Sequence, residues 1–169
     1  MKIKFPKHRN DSLCDTPEQL TQLMSNIRYT EFDKLMSPLE VLLTTHGSCH
    51  DQVMLELQEL YDMGYDVKAK FIMAVDENGQ GLETHSFVYY NYTDRWYWFE
   101  NAWEDMAGIY RFDGFFDMID TIMDDFARHI DYEYSKLYLA DFDPKDHTIG
   151  EDLNTLVDIC MNSAEEYTF

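Results

Sequence analysis

Positive charge is what this chain has least of. Thirteen Lys and Arg stand against 33 Asp and Glu, for a net charge of −20. Such a surface repels phosphate backbones, so nucleic acid is not an expected partner. No apolar run approaches the ~20 residues a helix needs to cross a bilayer, so no membrane partner is expected either. Met1-Lys2-Ile3-Lys4-Phe5-Pro6 carries basic residues with no apolar stretch behind them, so it does not read as a signal peptide. The three cysteines, Cys14, Cys49 and Cys160, are odd in number and widely spaced. That argues against a disulfide framework and for a reducing, cytoplasmic location. No internal repeat or low-complexity tract is visible. Metal signatures are weak as well. His46-x-x-Cys49 with His50 has no second pair at similar spacing. Asp141-x-Asp143-x-x-Asp146 lacks the glycine and terminal Glu of a calcium loop and reads as a solvated acidic loop. Neither metal nor cofactor is expected.

What is present suffices for one domain over residues 1–169. Hydrophobic residues make up 45% and aromatics 15%, enough for a substantial core. Thr16-Pro17-Glu18-Gln19 opens a helix with the apolar stripe Leu20, Leu23, Met24 and Ile27. Ser37-Pro38-Leu39-Glu40 repeats the start signal for a short helix ending near His46-Gly47. From Cys49, the positions Val53, Leu57, Leu60 and Tyr61 share a helical face until Gly64. Alternation predicts a strand over 66–75. Aromatic strands follow at 82–91 and 95–101, then a strand at 108–112. A helix carries Phe116, Ile119, Ile122, Met123, Phe126 and Ile130. A strand at 137–142 and a last helix opened by Thr148-Ile149-Gly150-Glu151 complete the chain. Helices lie mainly at the two ends and consecutive strands in the middle, which predicts α+β with an antiparallel sheet.

Three segments carry the candidate chemistry. Cys49 falls at the first turn of its helix, where unpaired N–H groups and the dipole favour a thiolate. Its own N–H would point to where an oxyanion forms. His85 and Glu100 lie on the two aromatic strands. A turn centred on Tyr92-Thr93 makes His85 face Glu100, Phe87 face Trp98 and Tyr89 face Trp96. A nucleophile, a general base and a group that orients the base are thereby expected. A slip of one residue would bring Asn101 to His85 instead, so Asn101 is the alternative orienting residue. Trp96, Trp98, Trp103 and Tyr89 are the candidate lining of a substrate groove. Cys14 and Cys160 read as structural. Cys160 sits on an apolar stripe, and no other cysteine is expected to have a His and a carboxylate in position.

Gly47-Ser48-Cys49-His50-Asp51-Gln52, then Thr84-His85-Ser86-Phe87-Val88, then Trp96-x-x-x-Glu100-x-x-Trp103 followed by Gly108-Ile109-Tyr110, resemble the transglutaminase-like cysteine enzyme superfamily. More narrowly, the chain resembles small bacterial and phage members of that group. The resemblance runs from about residue 35 to about residue 126. It implies a papain-like fold and a triad with Cys49 as nucleophile, His85 as base and Glu100 in the place where the family usually has Asp. Trp96 and Trp103 match the frame around the acid. The superfamily includes cross-linking transferases, proteases and amide-cleaving deglycosylases, so the expected partner is a protein or peptide substrate. Gln19, Gln22 and Asn26 are candidates for a side chain completing the oxyanion hole. The rival reading is a non-catalytic acidic binding protein on the same fold, a protein-interaction partner or a nucleic-acid mimic.

Overall fold

The computed structural model describes residues 12–131 and 133–169. The N-terminal segment read above for a signal peptide lies outside them. Among the described residues the chain runs α1 (Pro17–Met24), β1 (Arg28–Tyr29), α2 (Pro38–Thr44), β2 (His46–Gly47), α3 (Cys49–Asp62), β3 (Asp66–Val75), β4 (Gly81–Tyr92), β5 (Arg95–Glu100), β6 (Gly108–Phe112), α4 (Phe115–His129), β7 (Lys136–Asp141), α5 (Leu153–Met161) and β8 (Glu165–Tyr167). Six strands form one sheet in the order β6-β5-β4-β3-β7-β8, with every neighbouring pair antiparallel. The protein is α+β, as the element pattern predicts. No helix of the described residues is long and apolar enough to cross a membrane.

Both faces of the sheet are covered. On one side Phe71, Met73, Val75, Val88, Tyr90 and Phe99 pack with residues of α1, α3 and α5. On the other, Ile72, Ala74, Phe87, Tyr89 and Trp98 pack with Met118, Ile119, Ile122, Met123 and Phe126 of α4. Residues on both faces of the central strands are therefore buried, and Phe71–Val75 is buried without interruption.

The β4–β5 hairpin differs from expectation in an instructive way. Its turn is Thr93-Asp94, one residue later than predicted. Both residues adopt positive φ, 49° and 59°, the geometry of a two-residue hairpin loop. The ladder runs from Tyr92↔Arg95 to Val88↔Phe99. Tyr89 thus faces Trp98, and the predicted Tyr89–Trp96 and Phe87–Trp98 pairs are diagonal. Moving the turn by one residue shifts the register by two, and side chains alternate with period two. The shift therefore leaves each residue on its predicted face. His85 and Glu100 stay on the same side as diagonal neighbours.

The last helix starts later than expected. Thr148 and Glu151 close a turn, with Glu151 N–H bonded to Thr148 O at 2.9 Å. The helix then begins at Leu153, capped by Asp152, whose side chain accepts from Thr155 N–H. Of the acidic loop, Asp141 pairs with Lys70 at 2.8 Å and Asp143 caps the 3-10 turn Pro144–Asp146.

Candidate active site

The turn that delivers Cys49 is held from several sides. Ser48 is the N-cap of α3, and its hydroxyl accepts from Asp51 N–H. Asp51 Oδ2 accepts in return from the Ser48 N–H and hydroxyl, both at 2.8 Å, and its Oδ1 accepts from Met36 N–H at 2.7 Å. Gln52 donates to Gly47 O at 3.0 Å. Gly47 is required by close approach: a Cβ there would meet Asp51 Cβ at 3.1 Å and Val41 and Gln52 at 3.5 Å. Cys49 is the first residue of α3, 3% exposed.

The His and the acid come from the strands. His85 Nε2 lies 2.8 Å from Glu100 Oε2, and both residues are 2% exposed. The second carboxylate oxygen of Glu100 accepts from Trp103 N–H at 3.0 Å. The Trp103 ring lies flat on the His85 ring, centroids 4.1 Å apart and planes within 6°. Both Glu100 oxygens are therefore engaged, and a tryptophan covers the imidazole. With Nε2 engaged by Glu100, His85 lies near enough to the Cys49 thiol for each to shift the other's titration. The β4–β5 ladder ends at Val88↔Phe99, so the strands part where these groups meet the start of α3.

Electrostatics separate this thiol from the others. Burial alone would push Cys49 up, but the neighbouring His50 and His85 imidazoles overcome it and bring the thiol down to about 6. His85 moves the opposite way. Burial would lower it, yet the Glu100 carboxylate and the Cys49 sulfur hold its proton and raise it to about 10. Both shifts favour a thiolate–imidazolium pair. Two turns further along α3, Glu56 is buried, and burial together with Glu100 raises it well above the ordinary carboxyl range.

Cys49 opens onto a cleft of about 530 Å³. Its walls come from Tyr29 and Phe32, from Met73 and Glu83, and from Leu153 and Val157 of α5. None of the four aromatics assigned to a groove lines it. Trp98 is fully buried and Tyr89 is 5% exposed, both in the core under α4. Trp96 packs against Tyr89 and Phe115. Trp103 sits on His85. The cause is α4, which covers the face that the strand pattern leaves open. Asn101, the alternative orienting residue, is not at His85. It points to the opposite face, donating to Gln52 Oε1 at 2.7 Å and to Met24 O at 3.1 Å, and so ties α1 to α3.

The oxyanion candidates on and just after α1 are engaged elsewhere or exposed. Gln19 accepts from Asp15 N–H, and Asn26 donates to Gln22 O and Leu23 O. Gln22 is exposed. Three residues beside the thiol carried no local signal. Tyr29 is brought in by the parallel pairing of β1 with β2. Burial and then the Cys49 charge raise its hydroxyl, so it keeps its proton. His50 and Ser86 meet across the core at 2.7 Å. A second constellation was also unforeseen. Cys160 Sγ lies 3.8 Å from His147 Nε2, and His147 Nδ1 lies 2.6 Å from Glu151 Oε1. No group of three or more His, Cys, Asp or Glu suited to a metal ion occurs among the described residues.

No family model and no curated protein matches the chain. Among solved structures, Legionella pneumophila LapG is similar at a TM-score of 0.45 and 12% identity, over 86% of this chain and 75% of that one. Its EGTA-treated form is similar at a TM-score of 0.44 and 12% identity, over 86% and 76% of the two chains.

Proposed function

We propose that the protein is a cysteine-dependent acyl transferase or amide hydrolase acting through Cys49, His85 and Glu100, a transglutaminase-like use of a papain-like triad. One observation carries the reading. A buried His85–Glu100 pair at 2.8 Å adjoins a thiol on the first turn of a helix, and that thiol is drawn down to about 6. Each group has a role. His85 takes the Cys49 proton, giving a thiolate and an imidazolium. The sulfur attacks an amide carbonyl carbon, and the carbonyl π electrons move to oxygen. In this reading the Cys49 N–H and the hydroxyl of Tyr29, which borders the same cleft, stabilise that oxyanion. As the C–N bond breaks, His85 gives its proton to the departing amine. Water or an acceptor amine, deprotonated by His85, then resolves the thioester. Glu100 orients the imidazole and stabilises its positive form. Trp103 keeps water from both.

The substrate in this reading is a protein or peptide, laid in the cleft between the Gly81–Thr84 end of β4 and α5. Nucleic acid is not proposed, because the net charge is −20. The test is a broad thiol-reactive activity probe with the labelled residue mapped by mass spectrometry. Label on Cys49, lost in His85→Ala, is the expected result. Equal label on all three cysteines would sink the proposal and favour a non-catalytic acidic binding protein.

A further inference from the structure

Two imidazoles act on Cys49, and the triad uses only one. The other belongs to the next residue. His50 Nδ1 lies 3.8 Å from Cys49 Sγ, within hydrogen-bonding range of sulfur, and 2.7 Å from Ser86 Oγ. Its ring is 3% exposed and stacks with Phe142, within 6° of parallel, and with Phe71, within 27°. Burying an imidazole among phenyl rings is unfavourable unless its polar atoms are used. An aliphatic or aromatic side chain would fill the same space with no such penalty. The polar edge of the ring is directed to Ser86 and to the sulfur.

We propose that His50 is a second donor to the Cys49 sulfur. Its Nδ1–H is shared between Ser86 Oγ and the thiolate, alongside His85. The inference rests on the reading of Cys49 as a nucleophile. Its chemical sense lies in the second half of the cycle. When the thioester is resolved, the C–S bond breaks and its electron pair returns to sulfur, while His85 is occupied with the incoming nucleophile. A donor that stays on the sulfur makes the thiolate a better leaving group. The opposite arrangement places the ring proton on Nε2 and lets the Ser86 hydroxyl donate to Nδ1. The sulfur then gains nothing, and His50 is only core.

The titratable groups facing the thiol come from four elements: His50 and Glu56 of α3, His85 of β4, Tyr29 of β1 and, behind His85, Glu100 of β5. Of these, His50 can be replaced without removing a triad member or an oxyanion donor. The thiol's low value agrees with two imidazoles rather than one, His50 being the larger contributor of the two.

The experiment follows Cys49 alkylation by iodoacetamide as a function of pH in the whole protein. In His50→Phe, which keeps a stacking ring and loses the donor, the midpoint should rise by about one pH unit or more. In His50→Gln, which keeps an N–H, part of that rise should be reversed. Nitrogen-15 spectra of the wild-type protein should show His50 protonated on Nδ1 when the thiolate is present. A folded His50→Phe protein with the wild-type midpoint overturns the proposal. So does a bare Nδ1 in the wild-type spectrum, a readout that does not depend on any variant folding. A wild-type midpoint at the ordinary thiol value instead removes the triad reading itself, and this one with it.

Discussion

Two Cys–His–Glu sets stand among the described residues, and their thiols are in opposite electrostatic settings. In the first, Cys49 meets His85, which binds Glu100 at 2.8 Å. In the second, Cys160 meets His147 at 3.8 Å, which binds Glu151 at 2.6 Å. The residue types are the same and the bond lengths similar. The thiols are nevertheless driven apart. Cys49 comes down to about 6, whereas burial, Glu151 and Asp146 push Cys160 up to about 12. Placement accounts for the difference. Cys49 is the first residue of α3, where free N–H groups face a thiolate. Cys160 is the last but one of α5, where carbonyls and the negative end of the dipole face it. Two imidazoles adjoin Cys49, while carboxylates dominate around Cys160. Cys49 lines a cleft; Cys160 is 1% exposed. A triad of residue types is thus no evidence of a nucleophile until helix end, neighbouring charge and access are added.

The largest expected effect tests that contrast directly. Cys49→Ala should remove turnover by more than about 10⁴-fold. Cys160→Ala should leave turnover within about twofold and lower stability by about 1–2 kcal/mol through lost packing. Turnover assays with thermal melts separate the two. Next come the acids. Glu100→Gln keeps the shape of the side chain but removes the charge that holds the His85 proton, so kcat should fall by about 10²-fold or more. Glu151→Gln should leave kcat unchanged. Matched losses in the two variants would mean that both sets act, or that neither does.

The helix caps give a smaller and sharper comparison. Ser48→Ala and Asp152→Ala each remove an N-cap, and each should lower stability by about 1 kcal/mol. Only Ser48→Ala should also slow the reaction, by about tenfold, because it loosens the turn that aims the sulfur. The pH profile of kcat/KM should be a bell. Its acid limb falls as the thiolate is protonated near 6, and its alkaline limb falls as the imidazolium loses its proton near 10.

Much of the α3–hairpin unit was legible in the sequence because its signals are local. The stripe Val53, Leu57, Leu60 and Tyr61 and the stop at Gly64 mark the helix, and the structure adds a capping box of Ser48 and Asp51 at its start. The antiparallel sheet followed from runs of alternating apolar residues. The meeting of His85 with Glu100 survived a misplaced turn only because the resulting shift was even. Thr93-Asp94 is not turn chemistry that advertises two positive φ values, so the hairpin's register was hidden. What escaped was decided by packing between distant segments. Trp98 and Tyr89 look like groove aromatics until α4 covers them. Tyr29 depends on a two-residue parallel bridge with no periodicity of its own. His147 and Cys160 meet because α5 folds back on the loop before it, with Phe142 stacked on the imidazole.

The most direct test of the central claim is the alkylation rate of each cysteine in the native protein between pH 5 and pH 10, read by mass spectrometry. Cys49 should titrate with a midpoint near 6, while Cys160 stays unlabelled until the protein is unfolded. A Cys49 that reacts only above pH 8, or a Cys160 that keeps pace with it, would contradict the account.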